Sequence, residues 1–207
     1  AAMRYAADHD VLLVHAAGND SENNDSDPNF PNDMYAKPLK KGLFKKEKNV
    51  PSWIEIGALS FKKDENRVAK FSNFGKKNVD LFSPGVQIYA TVPDGKYKNL
   101  QGTSMASPAA AGVAAIIRSY YPELSAVQVK SIMEKSVIKQ TGDVYKPGTT
   151  EKVPFSTLCV SGGTVSAPNA VDMAAQTAAK KNKKAIWREA GQGDKMAKIK
   201  KPKMVTP

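Results

Sequence analysis

The sequence predicts an α/β fold, and three observations carry that expectation. A short helical segment runs almost directly into a continuous apolar run, Val11 to Ala17, of the kind that fills a strand buried on both faces of a parallel sheet. Further β-branched and aromatic runs follow at 53–61, 79–82 and 86–92. From Thr103 the apolar period then changes from that of a strand to that of a helix. The bulk numbers agree: 207 residues, 41% hydrophobic and 25% charged, suit one globular domain and exclude disorder throughout or a collagen-like chain. A single cysteine, Cys159, excludes a disulfide scaffold. No run of about 18 apolar residues is present, so no transmembrane segment is expected.

Ala1 to Asp8 holds good helix formers with no N-cap before them, so the sequence reads as starting inside an element and is expected to be part of a longer polypeptide. Gly18-Asn19 ends the first apolar run. Residues 20 to 33 carry Asp20, Glu22, Asp25, Asp27 and Asp33 with Pro28 and Pro31 and no basic residue, which predicts a polar surface loop. Residues 36 to 51 turn lysine-rich, and both stretches read as exposed insertions. The strands at 79–82 and 86–92 are separated by Ser83-Pro84-Gly85. A buried helix is expected over about 103–121: Ala106, Ala109, Ala110, Val113, Ala114, Ile116 and Ile117 recur at helical spacing, Pro108 is tolerated in a first turn, and Pro122 ends the run. Ser125 is the expected N-cap of a helix to about Ser136, with Val129, Ile132 and Met133 on one side. A turn-rich connection, Thr141 to Pro154, leads to a last helix at about 168–179 with Pro168 at its first position.

The formal charge of +11 comes from 31 Lys and Arg against 20 Asp and Glu, which invites a nucleic-acid reading. Its distribution argues otherwise. From Lys180 to the end, ten basic residues face only Glu189 and Asp194, a net +8, while the preceding residues carry +3. The basicity is a tail property, and that tail has one aromatic, Trp187, and no groove-reading motif, so nucleic acid is not the expected partner.

The segment richest in chemistry is Gly102-Thr103-Ser104-Met105-Ala106-Ser107-Pro108 at the head of the Ala-rich helix. A serine in a first helical turn lies beside unpaired backbone N–H groups and the positive end of the helix dipole, which favours negative charge developing during attack on a carbonyl. Spacing alone favours the reading of Ser104 as a helix cap. This segment, followed by Ala-Ala-Ala-Gly112-Val, resembles the nucleophile signature of subtilisin-like serine proteases. Val14-His15-Ala16-Ala17-Gly18-Asn19 is similar to the family's strand ending in Ala-Ala-Gly-Asn, and Phe71-Ser72-Asn73-Phe74-Gly75, Val79-Asp80 and Ser83-Pro84-Gly85 to the stretch leading to the nucleophile. Leu124 to Ser136 and Gly163 to Val171 resemble its closing helices and last short strand.

The resemblance implies a three-layer α/β subtilisin-like fold with a mostly parallel central sheet, incomplete here, with 1–179 the C-terminal portion of a peptidase catalytic domain and 180–207 a basic tail. It implies a serine endopeptidase acting through an acyl-enzyme on Ser104, with the Asn19 amide and the Ser104 N–H as oxyanion donors. Ala16, Ala17 and Gly18 would line the pocket for the residue before the scissile bond, with Asn29 at its floor. The implied partner is a protein or peptide substrate and the implied location is secreted or cell-envelope. The family's triad runs Asp, His, Ser along the chain, and no His-Gly-Thr-His-like motif occurs. His9 and His15 stand too few residues before Asn19, and Asp8, Asp10 and Asp80 lack the setting of the triad acid. The acid, the base and the substrate-pairing strand are therefore expected upstream of Ala1, and this chain alone is expected to be inactive. A relative with a decayed triad, serving as a binding module, is the alternative. No cofactor is required for the chemistry, and the acidic loop 20–33 could hold a structural calcium ion.

Overall fold

The structure, a computed structural model, describes residues 1–41 and 45–181, with side chains described for 1–38 and 47–181. In chain order, helix α1 (Ala2–Asp8) leads into β1 (Leu13–Ala16), and a hairpin of β2 (Met34–Lys41) and β3 (Lys45–Asn49) precedes β4 (Trp53–Leu59) and β5 (Leu81–Pro84). A second hairpin, β6 (Ile88–Val92) and β7 (Lys96–Leu100), comes before α2 (Thr103–Tyr120) and α3 (Ala126–Lys135). Then follow β8 (Ile138–Lys139), a hairpin of β9 (Asp143–Tyr145) and β10 (Lys152–Pro154), a 3-10 turn at Phe155–Thr157, β11 (Gly163–Thr164) and a helix, α4, over 167–181. No helix among the described residues is long and apolar enough to cross a membrane.

The central sheet runs β1-β4-β5-β11-β8, parallel at each pairing except the antiparallel β11–β8. Period-2 alternation divides β4 between two cores. Ile54, Ile56 and Ala58 pack with Ala106, Ala110, Val113 and Ile117 of α2, and with α3 and Ala170 and Ala174 of α4. On the other face Phe82 of β5 meets Phe155 at 5.4 Å, edge to face, above Val144 and Leu158. That two-faced burial belongs to β4. For β1 the expectation fails, because it stands at the edge of the described sheet and each of its residues is only half-buried.

Helix ends follow the sequence. Ser125 caps α3 reciprocally, its Oγ accepting the Gln128 N–H at 3.3 Å while Gln128 Oε1 accepts the Ser125 N–H at 3.0 Å. Asp10, between α1 and β1, ties three elements: its carboxylate takes Arg118 at the end of α2 (2.8 Å) and the Ala126 N–H at the start of α3 (2.6 Å). Desolvation works to raise its pKa, but these two donors outweigh it and hold the carboxyl below its ordinary range.

Several expectations need correction. The lysine-rich stretch is a hairpin, β2–β3, whose register shifts between Met34 and Leu39, and the connection at 141–154 contains another, β9–β10; both form despite polar sequences, since hairpin pairing is local and needs no apolar alternation. β7 was hidden for the same reason: Lys96 to Asn99 are exposed. Ile116, though in helical register with the core residues, is 43% exposed, and Ala109 is exposed as well. The acidic loop is not simply solvated. Asn24 is buried, and the Asp25 carboxylate accepts the backbone N–H groups of Lys77 and Asn78 at 2.9–3.1 Å. The tail beyond 181 lies outside the described residues.

Candidate active site

The end of β1 and the start of α2 meet at one place. Gly102, the residue before the helix, has φ 146°, a conformation open to glycine alone, and its N–H donates to Gly85 O at 2.8 Å, fixing the helix start on the end of β5. Thr103, 1% exposed, donates from both its backbone N (2.9 Å) and its Oγ1 (3.0 Å) to Asn19 Oδ1. Thr103 Oγ1 also accepts the Gly18 N–H at 3.2 Å. With its oxygen held by two donors, the Asn19 amide can present only its Nδ2 to the site.

Ser104 follows in the first turn, exposed, where backbone N–H groups have no intrahelical partner. A Cβ built on Gly102 would stand 3.6 Å from Ser104 N, 3.7 Å from Asn19 Nδ2 and 3.7 Å from Met105 Sδ. Two donors thus converge on a small space that exists because residue 102 has no side chain. Chemically, this arrangement can stabilise an oxygen that gains negative charge beside the Ser104 hydroxyl.

Behind Asn19 three further asparagines hold the turn. Asn73, 1% exposed, accepts the Asp20 and Glu22 N–H groups on Oδ1 at 2.8 and 3.1 Å and donates from Nδ2 to Asn24 Oδ1 at 3.0 Å. Asn24 and Asn29 each donate to Ala17 O at 2.9 Å. Ala17 is fully buried, whereas Ala16 and Gly18 are half-buried. Gly18, at φ 110°, passes so close to Asn73 and Asn29 that a Cβ would lie 2.6 and 3.0 Å from their amide nitrogens. Asn29 therefore sits against the 16–18 segment. Asn24 and Asn73 carried no assigned role in the sequence; Asn73 stands between Ser72 and Phe74, while Asn24, between Asn23 and Asp25, gives no local signal.

The histidines serve elsewhere. His9 is exposed, its Nδ1 2.8 Å from Tyr5 O. His15 points to the face opposite its neighbour Val14, which packs in the α2 core. There its Nδ1 lies 2.9 Å from Glu55 Oε1 and its ring 4.7 Å from Trp53, whose Nε1 donates to Glu55 Oε2 at 2.7 Å. Asp8 pairs with Arg4 at 3.5 Å on the surface. Asp80, 6% exposed, accepts the Glu55 N–H at 2.6 Å and pairs with Lys130 at 3.1 Å, which also pairs with Glu134 at 3.5 Å. Burial pushes the Asp80 carboxyl up, to about 7, against the pull of Lys130. The carboxylate of Asp33, at the far end of the acidic loop, accepts from Asn49 Nδ2 at 2.8 Å. Among the described residues no three His, Cys, Asp or Glu side chains converge as a metal cage, and the Asp25 carboxylate is already engaged with backbone N–H groups. Cys159 is buried, and burial pushes its thiol up.

Comparisons with known proteins identify the family. The chain is 42% identical over 97 residues to Subtilisin DY of Bacillus licheniformis, covering 47% of this chain and 34% of that protein. It is 31% identical over 134 residues to Subtilisin-like protease 2 of Plasmodium falciparum (isolate 3D7), covering 62% of this chain and 9% of that one. The chain thus spans about a third or less of the length of these relatives. Among solved structures, the Patellamide maturation protease PatA superposes with a TM-score of 0.59 at 21% identity, over 84% of this chain and 55% of that one. The Prenylagaramide maturation protease PagA gives 0.54 at 21%, over 84% and 53%. The model of the subtilase family matches residues 1–193, past Ala179 and into the basic stretch. A match that starts at the first residue and takes in the sheet, the helices and the Gly102–Ser104 turn alike puts this chain in the subtilase family.

Proposed function

We propose that this chain supplies the nucleophile and the oxyanion hole of a serine endopeptidase. The observation that carries the proposal is the space left by Gly102, faced by Ser104 N and Asn19 Nδ2. Ser104 Oγ attacks the peptide carbonyl, a base takes its proton, and the carbonyl oxygen, now anionic, is held by the two N–H donors. Collapse expels the amine, which takes the proton back from that base, and leaves an acyl-enzyme, which water, giving its own proton to the base, hydrolyses in a second step. The residue before the scissile bond lies against Ala16, Ala17 and Gly18, with Asn29 behind them. The base and its orienting acid come from residues outside this chain; the engagement of His15 with Glu55, on the face away from α2, supports that part of the reading. No step needs a cofactor, and none is routed through calcium. Action outside the cytoplasm, secreted or at the cell envelope, belongs to the same proposal and rests on the family alone.

A fluorophosphonate probe, which reports an activated serine, tests this. The 207-residue chain by itself should remain unlabelled. The native polypeptide joining it to its base should label, and Ser104→Ala should abolish the signal. Labelling of the isolated chain at Ser104 would refute the external base. Absence of labelling in the native polypeptide would favour the second reading, a binding module with a decayed triad, to which the lack of a histidine near Ser104 lends its weight.

A further inference from the structure

The hairpin β6–β7 pairs in unbroken register, from Ile88 opposite Leu100 to Val92 opposite Lys96. Alternation gives it two faces. Ile88, Ala90, Val92 and Leu100 are half-buried on one, while Tyr89 and Tyr97 stand in solvent on the other, 68% and 58% exposed. Tyr89 lies opposite Asn99 and Tyr97 opposite Thr91, so the two tyrosines are diagonal neighbours, a separation that aromatic side chains bridge. Their ring centroids are 5.5 Å apart and their planes within 19° of parallel, a stacked pair. The two other strongly exposed tyrosines stand elsewhere: Tyr5 on α1 stacks on His9 at 4.0 Å, and Tyr120 ends α2. An exposed ring pair adds little to a core, since both rings keep most of their surface in water. What the stack creates is two phenols held side by side where a solvent-borne oxidant can reach them.

We propose that Tyr89 and Tyr97 are a modification site, at which a one-electron oxidant of the haem-peroxidase class, working with hydrogen peroxide, joins them as a bityrosine. Each phenol gives up one electron and its hydroxyl proton, and the peroxide, taking both electrons and both protons, is reduced to two molecules of water. The two phenoxyl radicals combine through the Cε ring carbons beside the hydroxyls, forming one C–C bond. The hydrogen on each joined carbon then moves to the neighbouring oxygen, which restores both phenols. The bond staples β7 to β6 on the strand that leads through Gln101 to Gly102. This inference goes beyond the peptidase reading and holds whether or not Ser104 is a nucleophile.

The test exposes the native polypeptide to a haem peroxidase with limiting hydrogen peroxide, then denatures it and digests it with trypsin. Cleavage after Lys77, Lys96 and Lys98 separates the two tyrosines. The cross-link should therefore appear in the mass spectrum as peptides 78–96 and 97–98 joined, lighter by two hydrogen atoms than their sum, and carrying bityrosine fluorescence. Its yield per chain should hold over an about tenfold dilution, because the two rings share one chain. Tyr89→Phe and Tyr97→Phe each keep a ring in the stack and remove one phenol, and each should abolish the joined product. Joined peptides at every dilution, absent from both variants, support the assignment. Bityrosine that forms only between copies, or that joins Tyr5 or Tyr120 while 78–96 and 97–98 stay separate, overturns it. Recovery of the two peptides unjoined, or persistence of the joined product in either variant, overturns it as well.

Discussion

Asn73→Ala removes the side chain that holds the oxyanion turn without touching Ser104 or Asn19. Three hydrogen bonds disappear: those accepted from the Asp20 and Glu22 N–H groups at 2.8 and 3.1 Å and the one donated to Asn24 Oδ1 at 3.0 Å. The three orphaned groups differ in cost. Asp20 and Glu22 are exposed, so water can take up their N–H groups for about 0.5–1 kcal/mol each. Asn24 is 4% exposed, and stranding its oxygen costs about 1–3 kcal/mol. The total is about 2–5 kcal/mol. With a urea m-value of about 2 kcal/mol/M, the unfolding midpoint of the native polypeptide should fall by about 1–2.5 M with m unchanged. Because the Asn19 amide is aimed by this turn, kcat should drop by about tenfold or more while KM moves little. A variant within about 0.5 kcal/mol of the parent, with kcat intact, would refute the claim that Asn73 positions the turn.

Gly102→Ala places a methyl within 3.7 Å of both oxyanion donors at φ 146°; turnover should be lost, and the backbone strain should cost about 1–3 kcal/mol, read by probe labelling and thermal unfolding. Asn19→Ala should lower kcat by about 10²–10³, a magnitude taken from subtilisin's own oxyanion asparagine and not worked from this geometry. Oxidising Met105 adds an oxygen to a sulfur that stands 3.7 Å from the same space, so peroxide should slow the native enzyme and spare Met105→Ala; equal sensitivity of the two would remove the idea. Asp80 has a native carboxyl pushed up to about 7 from an ordinary 3.8, so between those values the native state holds a proton that the unfolded state has released. Its contribution to stability is therefore present at low pH and lost as pH rises through about 7; a pH series of urea midpoints should show this decline, and Asp80→Asn should flatten it.

Sequence patterns were sufficient where a single local rule decides structure. The capping box at Ser125, the helix from Thr103 and the apolar run of β4 each follow from spacing within one segment. The hairpins β2–β3, β6–β7 and β9–β10 were harder to see, because lysines and prolines mask a pairing that depends on the partner strand and not on alternation. Ile116 shows the converse: helical register put it with the core, yet nothing described packs over that side of α2. At the site, Ser104, Asn19 and Gly102 stand in recognisable motifs. What places Asn19 is non-local: Thr103 reaches it across 84 positions and Asn73 holds the neighbouring turn from 53 positions away. No window of sequence contains such a bond. The spare carboxylates and histidines were legible as candidates, but their actual partners, Glu55 for His15 and Lys130 for Asp80, come from strand and helix neighbours fixed only by the fold.

Asn19 stands three residues beyond β1, the edge strand of the described sheet, while Ser104 rides on a helix packed against three strands. The two halves of the proposed oxyanion hole consequently belong to regions of unequal local stability. Edge strands with half-buried side chains open by sub-global fluctuation well below the free energy of complete unfolding. Under mild denaturation the donor from Asn19 should depart first, leaving a helix-borne Ser104 N–H in place. Amide hydrogen exchange at Leu13–Ala16 should then run ahead of exchange at Ile54–Ala58. Opening of this chain would begin as a loss of alignment between two intact elements, before any loss of core.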